Sequence, residues 1–331
     1  TTHSPNLASE VDLNNLVIIR AGKAFSTADG ETELDSNDYK FLSRFLDVTK
    51  ANLFFARGVM IVEGDAENIL MPTLATCIGK DFTEHGISMV NVGGVGLRRY
   101  AKIFMRKNHV QDGIQPTPVA CVTDLDVMPN CGPYIIKIVN EDSNWPILGD
   151  GEERKWRAKR DFEGAGLNGH KEKIKSKAHG QNVKTFVADE WTLEYDLAFA
   201  NNNALAEEVY IAAQLAIWDE GDNYSENTAE EKFERAQTKF ATLKAVADKL
   251  AKDKGWDTNE VLASKVYAMY VTGSKASKSI AAQYLCEIIL DKTKRDKTYA
   301  LRAKLPNYVI QAIDYVTSNL NTASGGVIRG T

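Results

Sequence analysis

Three places in the chain bring together carboxylates that could hold metal ions. Glu63 closes the apolar run Val59-Met60-Ile61-Val62 and is followed by Gly64, with Glu67 one helical turn later. The two side chains can therefore converge above a strand end. Asp124 and Asp126 follow the run Val119 to Val122, and on an extended backbone residues two apart point the same way. Glu194 lies beyond Thr185-Phe186-Val187, with the Thr192 hydroxyl two residues before it and Asp196 two after. Anions set side by side repel, and burying them unpaired is costly. A divalent cation resolves the conflict, and oxygen-only donors favour Mg²⁺ or Mn²⁺ over zinc. Two such ions about 3.5–4 Å apart would need this many carboxylates, and would hold both oxygens of an in-line phosphoryl displacement.

Each group also has a plainer reading. Glu67 and Glu194 suit the first turn of a helix, where the macrodipole favours negative charge. A strand-end Asp-x-Asp is a weak signal alone and gains weight only beside a second acidic strand end. Lys275 and Lys278, in Gly273-Ser274-Lys275-Ala276-Ser277-Lys278-Ser279, could answer developing negative charge, or could simply be solvated. That stretch is not a P-loop, because only four residues separate Gly273 from Lys278 and the second glycine is missing.

The elements that must position these groups follow from the apolar pattern. Strands at Val59–Val62, Ile87–Val92 and Val119–Val122 alternate with helical stretches marked by Ile69, Leu70, Leu74 and Ile78, then by Leu97, Tyr100, Ile103 and Phe104. Such alternation indicates βαβ units and a parallel sheet, whose working residues lie beyond the carboxyl ends of the strands. Gly93-Gly94-Val95-Gly96 lacks the third glycine of a dinucleotide fingerprint and reads as a tight turn. Residues 140–184 break the rhythm and read as a long basic insertion or loop. Beyond about residue 205 the chain is helical, and Ala236, Phe240, Leu243, Ala247 and Leu250 form a stripe that packs on a neighbour. The tail from Thr322 reads as frayed.

Composition sets the outer bounds. The chain has 331 residues, 44% hydrophobic and 26% charged, with a formal charge of −5. That is about two domains and excludes a disordered chain, a collagen-like repeat or a small disulfide scaffold. No apolar run approaches the roughly 20 residues of a membrane-spanning helix, and no signal peptide opens the chain. Cys77, Cys121, Cys131 and Cys286 form no CxxC pair, so neither a zinc ribbon nor a disulfide framework is expected, and a reducing cytoplasm fits best. The histidines show no metal spacing; His85, His109, His170 and His179 are expected on the surface or in loops. The acidic balance leaves any case for nucleic acid to local patches, above all the basic run of 154–177.

The strand end Glu63-Gly64, the Gly93-Gly94 turn and Asp124-Leu125-Asp126 together resemble the Toprim domain of topoisomerases, primases, recombination mediators and a class of nucleases. The fuller resemblance is to the OLD (overcoming lysogenization defect) family, ATP-dependent nucleases in which an ABC-type ATPase precedes Toprim. Val62-Glu63-Gly64-Asp65-Ala66-Glu67 is similar to the family's nuclease opening, and Trp191-Thr192-Leu193-Glu194-Tyr195 to its third acidic motif. Thr1-Thr2-His3-Ser4-Pro5 is similar to the switch-histidine strand end of the ATPase.

The resemblance implies a Rossmann-like parallel sheet flanked by helices, with an added helical domain. Its expected divisions are 1–50 (the ATPase end and a linker helix), 51–203 (the Toprim core with its basic insertion), 204–262 (a helical domain) and 263–331 (helices returning to the core, then a flexible tail). It implies a metal-dependent DNA endonuclease with two Mg²⁺ or Mn²⁺ ions on Glu63, Glu67, Asp124, Asp126 and Glu194, assisted by Thr192. Lys278 would stabilise the transition state, with Lys275 in reserve. Arg154, Lys155, Arg157, Lys159, Arg160, Lys171 and Lys173 are expected to meet DNA. ATP would belong only to the ATPase domain, the expected partner in the full protein; a homodimer is also expected, and no membrane. Two alternatives stay open. Asp124-Leu125-Asp126 also mimics the signature of haloacid-dehalogenase-type phosphohydrolases, although Met128 departs from it and the pair follows the third strand of the series rather than the first. A non-catalytic Toprim binding module is the other.

Overall fold

The computed structural model describes residues 1–94, 96–145, 156–162, 164–221 and 228–318. Ser4 caps α1 (Pro5–Glu10), and a hairpin of β1 (Val17–Arg20) and β2 (Lys23–Ser26) follows. α2 (Ser36–Phe45) opens on a capping box, Asp35 accepting from the Asp38 amide while the Asp38 side chain accepts from the Asp35 amide. The α/β part then runs β3 (Gly58–Val62), α3 (Asp65–Cys77), α4 (Phe82–His85), β4 (Ile87–Asn91), α5 (Leu97–Lys102), α6 (His109–Asp112) and β5 (Val119–Thr123). After it come β6 (Val127–Met128), α7 (Gly132–Ile135), β7 (Arg157–Ala158), α8 (Gly166–Ser176), β8 (Val183–Val187) and α9 (Leu193–Asn203). The rest is helical: α10 (Ala206–Asp219), α11 (Ala229–Lys254), α12 (Thr258–Val271), α13 (Lys278–Arg295) and α14 (Asn307–Ser318).

The central sheet has the order β4-β3-β5-β8, and every pairing in it is parallel. Each residue of β3 is buried, as expected of a strand covered on both faces. Alternation along the strands divides the apolar core in two. Met60, Val62, Ala120, Val122 and Val187 face α3 and the C-terminal helices. Val59, Ile61, Val90, Val119 and Cys121 face the other way and share a core with Phe25, Leu34, Leu42 and Leu53 from the N-terminal segment. The N-terminal segment and α5 thus close one face of the sheet, and α3 with the long C-terminal helices closes the other.

α13 packs on α3 and α10, and α14 lies against β3, β5 and β8. Gly58 shows how close that last helix comes. A Cβ there would stand 2.9 Å from the Val316 carbonyl oxygen and 2.8 Å from Ile87 Cδ1. The stretch 140–184, read from sequence as an insertion or loop, holds an ordered helix, α8, packed on β8. Arg154 and Lys155 lie outside the described residues.

Candidate active site

Backbone geometry at three strand ends brings the acidic side chains to one edge of the sheet. Beyond β3, the Glu63 carbonyl accepts from the Gly94 amide at 2.7 Å, and its carboxylate accepts from Thr123 Oγ1 at 2.8 Å. Gly64 is the N-cap of α3, and a Cβ on it would sit 2.9 Å from Glu67 Oε2. The Glu67 carboxylate therefore curls back over the strand end rather than out into solvent. Beyond β5, the amides of Leu125 and Asp126 both donate to the Trp191 carbonyl, at 2.9 and 3.2 Å. That clasp holds Asp126 at φ +57°, a left-handed conformation that aspartate tolerates better than most residues. Asp124 Oδ1 accepts from the Leu193 amide at 3.1 Å. Beyond β8, Thr192 caps α9 and sets Glu194 in its first turn.

Lys278 completes the cluster. Its ammonium lies 2.9 Å from Glu194 Oε2, with the Glu194 side chain 7% exposed. Lys278 is the first residue of α13, where the helix dipole disfavours a cation, so its favourable contacts are with the carboxylates and not with its own helix. Burial opposes its charge, but Glu194, Tyr267 and Asp124 outweigh that and raise its pKa. The carboxylates are strained in the opposite sense. Loss of water raises the pKa of Glu63, with Asp126 adding to the effect against the Thr123 hydrogen bond. Burial and then Glu194 raise Glu67. Burial, Glu194 and Glu67 push Asp124 well above the usual carboxylate range. Asp126 is raised by burial, with Lys278 and His170 opposing. These groups feel one another's charge, and there are more anions than cations among them.

The donor set suits an oxygen-seeking divalent cation: half-buried carboxylates crowded together and short of positive charge. Glu63, Glu67, Asp124, Asp126 and Glu194 could serve as ligands, with the Thr192 hydroxyl beside them. Among the described residues, no three acidic, histidine or cysteine side chains already stand as a ready-made cage, and Lys278 occupies one Glu194 oxygen. Lys275, the reserve lysine, is exposed on the approach to α13.

The basic residues divide into two groups. Lys159 bridges Glu190 and Glu260, at 2.5 and 2.9 Å, and Arg160 holds Asp142 at 2.7 Å and the Asn130 carbonyl. Both charges are answered within the chain. Lys171 reaches Asp189 at 3.8 Å. Arg157 lies over the Phe162 ring at 5.0 Å, and Lys173 is exposed on α8. His3 is exposed, its ring 6.0 Å from that of Phe55.

Three residues join the site without having been singled out in the sequence. Tyr267 of α12 is buried beneath Lys278, whose ammonium is 5.8 Å from its ring, and burial pushes its hydroxyl up to about 12. Tyr308 of α14 has a buried hydroxyl with no hydrogen-bond partner, within electrostatic reach of Asp196, Asp124 and Glu67. His170 was expected on the surface or in a loop; it lies on α8, half-buried, where burial and Arg157 lower its pKa and the Leu125 backbone, between the two aspartates, opposes them. Tyrosines on apolar helices read as core, and nothing in their spacing distinguishes these two.

Residues 54–126 match the family described as overcoming lysogenization defect protein-like, Toprim domain. This segment is an OLD-like Toprim domain. The match takes in Glu63, Glu67, Asp124 and Asp126, whereas Glu194 and Lys278 lie beyond it. Among solved structures, the chain is similar to the C-terminal region of the Xanthomonas campestris pv. campestris OLD protein, with 18% identity, coverage of 81% of this chain and 95% of that one, and a TM-score of 0.38. It is also similar to the C-terminal region of the Burkholderia pseudomallei OLD protein, with 18% identity, coverage of 80% and 98%, and a TM-score of 0.39. At that level of superposition the likeness carries nothing about chemistry. No curated protein matches. The Toprim sheet with its flanking and additional helices is thus the fold expected from the sequence, and no helix among the described residues is long and apolar enough to cross a membrane.

Proposed function

We propose that the protein is a metal-dependent endonuclease that nicks and cleaves duplex DNA by two-metal phosphodiester hydrolysis, and that it works as the catalytic part of an ATPase-coupled nuclease. The observation that supports this reading is the convergence of carboxylates from three strand ends on one lysine, with Lys278 against Glu194. Mg²⁺ or Mn²⁺ bound there would supply Lewis-acid stabilisation and a nucleophile of lowered pKa. Glu63, Glu67, Asp124, Asp126 and Glu194, with Thr192, hold the donor atoms at one edge of the sheet. Lys278 offers positive charge where negative charge grows on a transferring phosphoryl group. Arg157, Lys171 and Lys173, on β7 and α8, offer charge to a phosphate backbone. The partners this reading carries are DNA, an ATPase domain and a second copy of the chain.

The test is nicking of supercoiled plasmid with Mg²⁺, Mn²⁺, Ca²⁺ or chelator, by the wild type, Glu63→Gln and Asp124→Asn. Cleavage in Mg²⁺ or Mn²⁺ that both variants lose supports the proposal. Undiminished cleavage by either variant overturns it, and metal binding with no cleavage by the wild type indicates a binding module instead.

A further inference from the structure

Beside the acidic edge, on the β4 side, lies a second cleft that metal chemistry does not use. It is a cavity of about 300 Å³ lined by Phe41, Phe45, Lys50, Gly93 and Tyr100, together with the end of β4. Its wall is continuous with the acidic edge, because Gly94, next to Gly93, donates its amide to the Glu63 carbonyl. Gly93 and Gly94 both have positive φ, at +63° and +77°, and nothing stands within 4 Å of where their Cβ atoms would be. This rim is bare backbone facing open space.

The aromatic side of the cleft is a built stack. Arg99 lies over Phe41 at 4.2 Å, and Phe41 stacks on Phe45 with centroids 4.4 Å apart and planes at 20°. Gly96 permits this, since a Cβ there would stand 2.7 Å from the Phe41 ring. Phe45 ends the stack and is 47% exposed, which is unusual for a ring held in place so firmly. The charged residues of the two helices that carry the stack, α2 and α5, are mostly positive: Lys40, Arg44, Arg98, Arg99 and Lys102 against Asp38. Lys50 is paired with Asp47, and Asp38 is consumed by Arg99 and Lys102 at 3.0 and 2.8 Å. Asp65 is turned into a 2.6 Å hydrogen bond from Asn91. Lys40, Arg44 and Arg98 are exposed and make no ion pair among the described residues.

We propose that this shelf binds an unpaired base of single-stranded DNA, the base stacking on Phe45 while Arg44 and Arg98 take the flanking phosphates. The inference rests on DNA being the substrate of the neighbouring acidic edge, and it would let the protein recognise frayed or gapped DNA next to its cutting site. Aromatic stacking is tolerant of sequence, so a preference for single strands over duplex is expected, without a sequence motif.

The experiment is fluorescence anisotropy with a labelled oligothymidylate of about 20 nucleotides and a mixed-sequence duplex of equal length, in chelator. Phe45→Ala should lower the ratio of single-strand to duplex affinity about tenfold, a drop within the range for losing one stacked base. The slope of log affinity against log salt should stay unchanged, because no charge has been removed. Phe45→Trp should restore the ratio. Arg98→Ala should reduce the single-strand salt slope by about 0.7. Val48→Ala, which removes an exposed apolar side chain without a ring, should leave the ratio alone. An unchanged ratio in Phe45→Ala, or a wild type that prefers duplex, overturns the proposal. So does a self-association seen by sedimentation that Phe45→Ala abolishes, since the shelf would then be a contact between copies. If plasmid cleavage fails in every metal while the Phe45 effect holds, the nuclease reading falls and the shelf stands; the reverse result removes the shelf alone.

Discussion

Lys278 can be removed to ask whether it holds the acidic cluster together. At 2.9 Å from Glu194, the Coulomb attraction is about 6 kcal/mol at an effective dielectric constant of 20. The Lys278 side chain is 45% exposed and that of Glu194 7%, so the measurable coupling should fall between that of exposed pairs, up to about 1 kcal/mol, and that of buried ones, about 3–5 kcal/mol, at roughly 2–3 kcal/mol. The two partners should behave differently when changed alone. Lys278→Met leaves the cluster with no lysine beside Glu194, Asp124 and Glu67 and should cost the full 2–3 kcal/mol. Glu194→Gln also removes an anion that presses on Asp124 and Glu67, so it should be close to neutral. The double variant should then resemble Glu194→Gln more than Lys278→Met. Urea unfolding in chelator measures all four corners of this cycle, and for 331 residues the lysine loss corresponds to a melting shift of about 3–4 °C. Added Mn²⁺ should recover more stability in Lys278→Met than in the wild type. Effects that simply add, with coupling below about 0.5 kcal/mol, would refute the idea that Lys278 balances the cluster.

Other expectations follow from the same structure. The pKa values of Glu63, Glu67 and Asp124 are raised, and burial lifts Asp196 to about 7 despite its hydrogen bonds from the Trp191 and Glu190 amides. Groups raised on folding stabilise fully below their unfolded values and lose that contribution as pH climbs through the folded ones. In chelator the melting temperature should therefore fall between pH 5 and 8; Mn²⁺ should cancel much of the fall, and Asp124→Asn should flatten it. A melting temperature that rises across this range would contradict the assignment. Gly58→Ala should destabilise by about 1–3 kcal/mol in urea unfolding, because its methyl would meet the Val316 carbonyl. Asp38→Ala should cost about 2–3 kcal/mol, since it takes from Arg99 its carboxylate partner, leaves Lys102 only the longer contact with Asp35, and breaks the capping box of α2; a loss below about 1 kcal/mol would show that α2 is held by its apolar face alone.

The sheet was legible because β3, β4, β5 and β8 are short β-branched runs cut off by glycine or acid, and their ends announce themselves. The carboxylates were visible for the same reason. α8 was not legible: Leu167 and Ile174 are its main apolar anchors, too few to give a helical stripe, so its lysines read as loop. His170 was lost with it. Tyr267 and Tyr308 reach the site from helices whose apolar content hides any second role, and only long-range packing shows it. Lys278 was set ahead of Lys275 only by resemblance, since nothing in their local spacing separates them; the Ser277 cap starts α13 at residue 278, and the Lys278 ammonium lies on Glu194.

The return of α13 and α14 to the sheet has a consequence for biosynthesis. Glu63, Asp124 and Glu194 are all translated before Lys278, and the helix that covers β3 beside Gly58 is made later still. A nascent chain therefore carries the full set of acidic groups without their balancing lysine and with one sheet face covered by α3 but not yet by α14. If the protein does cut DNA, its assembly order keeps it harmless on the ribosome until synthesis has passed those last helices.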